Sequence, residues 1–322
     1  MNHAIRIHRT GGPEVLSWEE VPTPEPAAGQ LLVELHAAGL NFIDTYHRSG
    51  LYQVDLPMTP GAEGSGTVIA VGAGTPGFAP GDRVAWVGVP GSYSQQLLVP
   101  AASALRIPEG VSLDIATALP LQGMTAHYLA CSTFPIKPGH RALIHAAAGG
   151  TGRLLVQMAV NRGAEVVAVV GSGAKVALAR SAGAHHVINS GSVDLVEAVE
   201  AAVGPAALDV VYDGVGAATF DAGLKLLRPR GTMITFGNAS GPVPPITPLV
   251  LMERSLFLTR PKLWDYMTRP GEADRRWSDI TSWVADGSLE VNIGLRLPLA
   301  EAAEAHRRLE SRSTTGKVLL TA

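Results

Sequence analysis

Cysteine is almost missing from this chain. Cys131 stands alone among 322 residues, which excludes an internal disulfide framework, a four-cysteine zinc lobe and a Cys-x-x-Cys redox pair. A reducing cytoplasm suits such a composition. An excess of one charge sign is also lacking: 25 Lys and Arg are mixed with 28 Asp and Glu for a formal net charge of −3. No broad basic surface for a phosphate backbone is expected, so nucleic acid is a poor partner. No stretch approaches the ~18 uninterrupted apolar residues that cross a bilayer, and the opening MNHAIRIHRT has no apolar signal core. The protein is therefore expected to be soluble, unprocessed and without a membrane partner.

Recognisable metal and nucleophile motifs are absent as well. The ten histidines form no His-Glu-x-x-His and no Cys/His cluster, so no metal is expected. The adjacent His185 and His186 open a strand-like HHVIN, where successive side chains face opposite ways. No Gly-x-Ser-x-Gly elbow occurs. Cys131, in YLACSTF, has no base or cation beside it in sequence to lower its pKa. Glu63, in PGAEGSG, reads as a cap or turn carboxylate before it reads as an acid or base. By elimination, a bound cofactor is left to carry the chemistry.

What is abundant is apolar sequence and glycine. Hydrophobic residues make up 46% of the chain, charged residues 16%, and there are 36 glycines. The length suffices for two domains of about 100 to 200 residues. Residues 1–123 hold short β-type runs (AIRIH, LLVELHAAG, GSGTVIAVG, DRVAWVG, SYSQQLLVP) punctuated by Gly and Pro. Over residues 124–262 strands alternate with helical stretches: RALIHAAA, TGRLLVQMAVNRG, EVVAVVG, AKVALARSAG, HHVIN and onward to GTMITFG. That alternation predicts an α/β domain with a doubly wound parallel sheet. Residues 263–322 lose the regularity, with helices expected over 273–286 and 300–311, a Pro-broken LRLPL and a last strand in GKVLLTA. A tail this small cannot bury a core alone and is expected to pack on the first domain.

The segment ALIHAAAGGTGRLL ends a buried strand and starts a helix. Ala147 to Gly152 follows Gly-x-Gly-x-x-Gly with Ala in the first place. Gly149 would let backbone approach a pyrophosphate, and Gly152 would let helix pack on strand. The free N–H groups of the helix start then form an anion site. A plain tight turn is the alternative, weakened by the surrounding βαβ run. Where an NAD site carries an acid on the ribose 2′-hydroxyl, this chain has Gly171, Ser172 and Gly173, then Lys175. With no carboxylate to repel a 2′-phosphate and an ammonium to meet it, NADPH is favoured over NADH. Lys175 as an ordinary solvated lysine remains the competing reading.

With NFIDTYHRSGLY (Asn41 to Tyr52), HAAAGGTG, VYDGVG and TFGNASG together, the chain resembles the quinone oxidoreductase and zeta-crystallin branch of the zinc-free medium-chain dehydrogenases. The resemblance runs from GGPEVL at 11 to ESRSTTGK at 310. It implies a GroES-like β-rich catalytic domain built from both chain ends, a Rossmann domain, NADPH in the cleft between them, and a homodimer. It also implies site residues. Asn41, Phe42, Ile43, Asp44 and Tyr46 would line the nicotinamide side, with Tyr128, Gly150 and Thr151 along the pyrophosphate. Ser172, Gly173 and Lys175 would hold the adenosine phosphate, and Gly214 would follow the fourth strand. Phe236, Gly237 and Asn238 would border the nicotinamide ribose, and Arg312 would reach the cofactor from the tail. Relatives often carry VINY where this chain has VINS, so Ser190 keeps a hydrogen bond and loses an aromatic platform. Gly214 stands where relatives can have Ser.

The chemistry implied is hydride transfer from NADPH to a quinone, with Asn41, Tyr46 and Tyr52 as candidate catalytic donors and Arg260 as a candidate guard of the substrate entrance. Two alternatives stay open: reduction of an enal or enone double bond, and an NADPH-binding structural or RNA-associating crystallin-like protein. Bland roles also remain for individual residues. Asn41 could stabilise a turn, the tyrosines could be half-buried aromatics, and Asp213 could cap the next helix.

Overall fold

Sequence alternation becomes sheet in the first third of the chain. In the computed structural model, which describes residues 1–322, β1 (Asn2–Arg6) and β2 (Ser17–Val21) form an antiparallel ribbon. β3 (Gln30–Leu40) is the central strand of a larger sheet. It buries Val33 and Leu35 and exposes Glu34 and His36, the period-2 pattern of a strand with one covered face. Helix α1 (Phe42–Ser49) follows at once, started by Asn41 in a reciprocal capping box with Asp44 and ended by left-handed Gly50. β4 (Glu63–Val71), β5 (Arg83–Val87), β6 (Gln96–Pro100) and β7 (Ala104–Arg106) complete this part of the sheet, β6 pairing with β3. Short α2 (Leu113–Ala118) is capped by Ser112 and is followed by α3 (Pro120–Tyr128).

A second sheet contains β8 (Arg141–Ile144), β9 (Glu165–Val170), β10 (His186–Asn189), β11 (Leu208–Asp213), β12 (Leu227–Thr235) and β13 (Phe257–Thr259). All pairings are parallel, in the order β10-β9-β8-β11-β12-β13. Helices α4 (Gly150–Asn161), α5 (Val176–Ser181), α6 (Leu195–Val203) and α7 (Phe220–Leu226) lie between successive strands in sequence. This is the doubly wound α/β fold expected from the sequence. Strands covered on both faces need apolar residues throughout, and Val166 to Val170 are all buried. Each valine among them contributes about 1.5 to 3 kcal/mol on burial. Strand order reverses beside β8 and β11, which marks where a ligand site opens at the strands' carboxyl ends.

The tail carries α8 (Glu272–Ala285), β14 (Ile293–Pro298), α9 (Ala302–Glu310) and β15 (Lys317–Thr321). LRLPL is thus strand, not a broken segment: Pro298 closes an outer strand, where a missing N–H costs no ladder bond. β15 runs antiparallel to β3, pairing Leu319 with Gly39 and Leu320 with Ala38. Met1–Leu121, Trp277–Ala285 and Val291–Ala322 make one unit; Gln122–Arg276 and Asp286–Glu290 make the other. No helix is long and apolar enough to cross a membrane.

Candidate functional site

In the parallel-sheet unit, the glycine turn is built residue by residue. After β8 the chain reaches Ala146 in left-handed conformation (φ 51) and enters α4 through Gly149, an N-cap with no side chain to occupy the first N–H groups. Its three glycines have three reasons. A Cβ at Gly152 would overlap the Ala146 carbonyl oxygen and come within 3.0 Å of Ala147 Cα, so helix could not close on strand. One at Gly150 would overlap the Gln122 side chain, whereas one at Gly149 would meet only the Ala146 oxygen, at 3.2 Å. Gly149 is therefore spared for whatever approaches from outside. Thr151, beside it, is half-buried.

At the end of β9, Gly171, Ser172, Gly173 and Ala174 are exposed, and Lys175 is half-buried in a 3-10 turn spanning Gly173–Lys175. Nothing lies within 4 Å of where a Cβ at Gly171 or Gly173 would be. An acid-free, open bend that ends in a lysine suits a phosphate better than a bare ribose hydroxyl. Ser190 is exposed and turns its hydroxyl back, donating to Val170 O at 3.3 Å.

The ends of β11 and β12 are tied together. Buried Asp213 accepts N–H bonds from Val215 (2.7 Å) and Gly216 (3.1 Å) and the Thr219 hydroxyl (2.8 Å), closing the turn into α7. A Cβ at Gly214 would press to 3.1 Å on the Phe236 ring, and one at Gly237 would lie 2.9 Å from Gly214 Cα. Arg260 is exposed and donates to Thr235 Oγ1 (3.1 Å) and Gly237 O (3.0 Å), holding the bend that carries Phe236, Gly237 and Asn238. Buried Tyr128 stacks on Tyr266 with centroids 4.4 Å apart, and burial raises its hydroxyl pKa. His145, just after β8, is buried with Nε2 unpartnered; burial lowers its pKa and Asp213 opposes the shift. The Arg276 guanidinium donates to Ser132 Oγ at 3.2 Å, so tertiary structure brings a cation to the residue next to Cys131 that the local sequence lacks.

In the other unit, the Asn41–Tyr52 motif is brought together on and after α1. Phe42, Tyr46 and Tyr52 form a chain of rings, with centroids 6.3 Å apart and then 5.3 Å edge-to-face. Tyr46 and Ile43 are half-buried, and Tyr52 is exposed. Arg312 is exposed, in left-handed conformation (φ 58) just after α9. Asp44 is fully buried and accepts from Asn41 N–H (2.8 Å) and Tyr93 OH (3.1 Å). Burial drives its pKa to about 7 from an ordinary 3.8; the Asn41 N–H and Lys317 oppose this. Burial and the neighbouring Arg48 push His306 down to about 3. Arg48 donates to His306 Nδ1 (3.0 Å) and grips Glu310 with both terminal nitrogens.

The sequence suggested a cap for Glu63 and no role for Lys317, and did not pair them. Glu63 and Lys317, 0% and 1% exposed, form an ion pair. Glu63 sits on a strand, not in a turn, although its Oε2 does cap α3 by accepting Leu121 N–H at 2.6 Å. The available signal was a lysine opening an otherwise apolar strand, KVLLT. His185 and His186 have separate partners, Val166 N–H and Glu165, and no three His, Cys, Asp or Glu side chains gather to hold a metal ion.

Comparison with known proteins accounts for both units. The alcohol dehydrogenase GroES-like domain family matches residues 27–109, and the zinc-binding dehydrogenase family matches residues 150–266. A quinone oxidoreductase of Salmonella typhimurium is 41% identical over 98% of each chain, and a 2-haloacrylate reductase of Burkholderia is 40% identical over 98% of each. The crystal structure of Escherichia coli quinone oxidoreductase complexed with NADPH superposes with a TM-score of 0.97 at 39% identity, covering 100% of both chains. The chain belongs to the quinone oxidoreductase branch of the medium-chain dehydrogenase/reductase superfamily.

Proposed function

We propose that this protein is an NADPH-dependent quinone reductase. The observation that carries the cofactor is the open, acid-free bend Gly171–Lys175 at the end of β9; the acceptor class rests on the likeness to quinone oxidoreductases along the whole chain. When bound, NADPH supplies the hydride. Lys175 and the Ser172 hydroxyl hold the 2′-phosphate, with Gly173 leaving room and Ser190 steadying the end of β9. The first N–H groups of α4, at Gly150 and Thr151, take the pyrophosphate, favoured by the helix dipole, and Tyr128 flanks them. Gly214, Phe236, Gly237 and Asn238 border the nicotinamide ribose on the bend that Arg260 braces, which gives Arg260 a fixed place from which to guard the entrance.

In the other unit, Phe42 and Ile43 present the nicotinamide side of α1, Arg312 reaches the cofactor from the tail, and Asp44, expected from the sequence to line the same side, is turned wholly inward and braces the helix from within. Tyr46 and Tyr52 are the acceptor-side polar groups, and Asn41, the third candidate donor, has its amide turned into the protein at the start of α1. A quinone oxygen accepts charge readily, so its reduction requires orientation, exclusion of water and a hydroxyl donor. The two tyrosines, stacked edge-to-face, are suited to that. A second reading, reduction of a polarised carbon–carbon double bond, draws on the equal likeness to a 2-haloacrylate reductase. The deciding experiment follows NADPH oxidation with naphthoquinone, an enone and 2-chloroacrylate side by side. Turnover of the enone or haloacrylate with failure of every quinone would overturn the first assignment; NADPH binding with no turnover of any acceptor would favour a binding protein.

The reading includes a homodimer in a reducing cytoplasm. β13 ends the parallel sheet with an unpaired edge, and Leu249, Met252 and Phe257 beside it are 68%, 73% and 60% exposed. A second copy meeting the same edge covers both the backbone groups and the apolar side chains.

A further inference from the structure

Glu63 and Lys317 have no place in cofactor or acceptor binding, yet they are buried as completely as any residue in the chain. Taking two charges out of water costs several kcal/mol per ion, and an apolar pair of similar volume is often as stable. Stability alone therefore does not explain them. The strand between them is shaped for the pair: a Cβ at Gly39, near the end of β3, would overlap Glu63 Oε1 and lie 2.7 Å from both Cε and Nζ of Lys317.

What the pair holds is the side chain of Asn41. Asn41 Nδ2 donates to Glu63 Oε1 at 2.6 Å and to Gly39 O at 3.1 Å, and Lys317 Nζ donates to Asn41 Oδ1 at 3.0 Å. The amide oxygen also serves the capping box of α1. A primary amide has two N–H bonds, and both end on internal acceptors. No donor is left for a substrate oxygen.

We infer that the Glu63–Lys317 pair is the positioning device of the reaction: it clamps the Asn41 amide inward, fixes the start of α1, and leaves proton donation to the Tyr46 and Tyr52 hydroxyls. Asn41 is thereby a strut. Two opposite charges suit this task because each orients one end of an amide dipole, which an apolar pair cannot do. The inference rests on the quinone reductase reading for its kinetic consequence, but the clamp itself has a readout that needs no activity.

Two variants loosen the clamp without leaving a lone buried charge. Gly39→Ala wedges a methyl group into the pair, and Glu63→Gln/Lys317→Met neutralises both partners. Both should bind NADPH within about threefold of the parent while kcat with quinone falls about 10- to 100-fold, the scale of a misplaced reacting group. The Asn41 side-chain amide protons, followed by NMR, should exchange slowly in the parent and rapidly in both variants. Should the double variant fail to fold, Asn41→Ala leaves both charges paired and should lower kcat with NADPH affinity retained. A folded double variant with slow Asn41 exchange and kcat within twofold of the parent overturns the inference. If the parent reduces no quinone, the functional reading fails separately, and amide exchange still decides the clamp.

Discussion

Asp44 offers a test in which the direction of the pH effect is unusual for a carboxylate. Its side chain is fully buried, Oδ2 receives the Asn41 N–H and the Tyr93 hydroxyl, and Oδ1 has no partner. Burial is the largest influence and raises the folded pKa to about 7 from 3.8, with Glu63 adding to it. The folded state therefore binds the proton more tightly than the unfolded chain. The stability this contributes is complete below about pH 4 and is lost as pH rises toward 7. At about 1.4 kcal/mol per pH unit, the full gap is worth about 4 kcal/mol, and the part between pH 5 and pH 8 about 3 kcal/mol. Asp44→Asn keeps an oxygen for both bonds and cannot ionise. Urea unfolding of variant and parent at pH 5, 6, 7 and 8 should show the variant gaining about 3 kcal/mol relative to the parent across that range. His306 works the other way, its stability contribution lost as pH falls from 6.5 toward 3, but it is present in both proteins and cancels in the difference. A flat difference, or a parent that gains on the variant as pH rises, would refute the reasoning: Asp44 would then be a carboxylate held by Lys317 and Tyr93.

Three further outcomes follow from the structure. Lys175→Ala should weaken NADPH binding about tenfold, as loss of a charged hydrogen bond at a half-exposed site implies, and leave NADH binding within about twofold; equal losses by calorimetry would remove the phosphate role. Gly152→Ala should destabilise the fold by about 1 to 3 kcal/mol through its clash with the Ala146 carbonyl. Gly149→Ala should unfold at nearly the parent temperature yet bind NADPH poorly; matching unfolding temperatures for the two variants would contradict the separate reasons assigned to the two glycines. Phe257→Glu should convert a dimer to monomer in sedimentation experiments at micromolar concentration, and a monomeric parent would dismiss the β13 interface.

Much of the parallel-sheet unit was legible because its signals are local. A short, valine-rich run such as EVVAVV favours a strand buried on both faces, and a glycine turn between such a run and an amphipathic stretch marks a helix start open to anions. The missing acid after β9 could be read in the same way, since it is a matter of which five residues follow one strand. The motif Asn41 to Tyr52 was legible as a motif, and its rings do gather on and just after α1. The part played by each polar group was not. Asp213 spends its oxygens on the turn into α7, the bland capping role its position allowed, while Arg260 braces a neighbouring bend through contacts that leave no trace in composition or spacing.

Residue order by itself thus determined the strands, the helices, the glycine bend and its bias against a carboxylate, because those depend on steric and hydrophobic preferences acting over a few residues. Only tertiary structure decided which charges share a buried site. Lys317 and Glu63 are 254 positions apart, and Arg48 and His306 are 258 apart. Lys317 meets Glu63 because β15 adopts one register against β3, pairing Leu319 with Gly39, and a shift of one residue would turn every side chain of the strand to the opposite face. That register is set by packing over the whole sheet, where no short stretch of sequence holds the information.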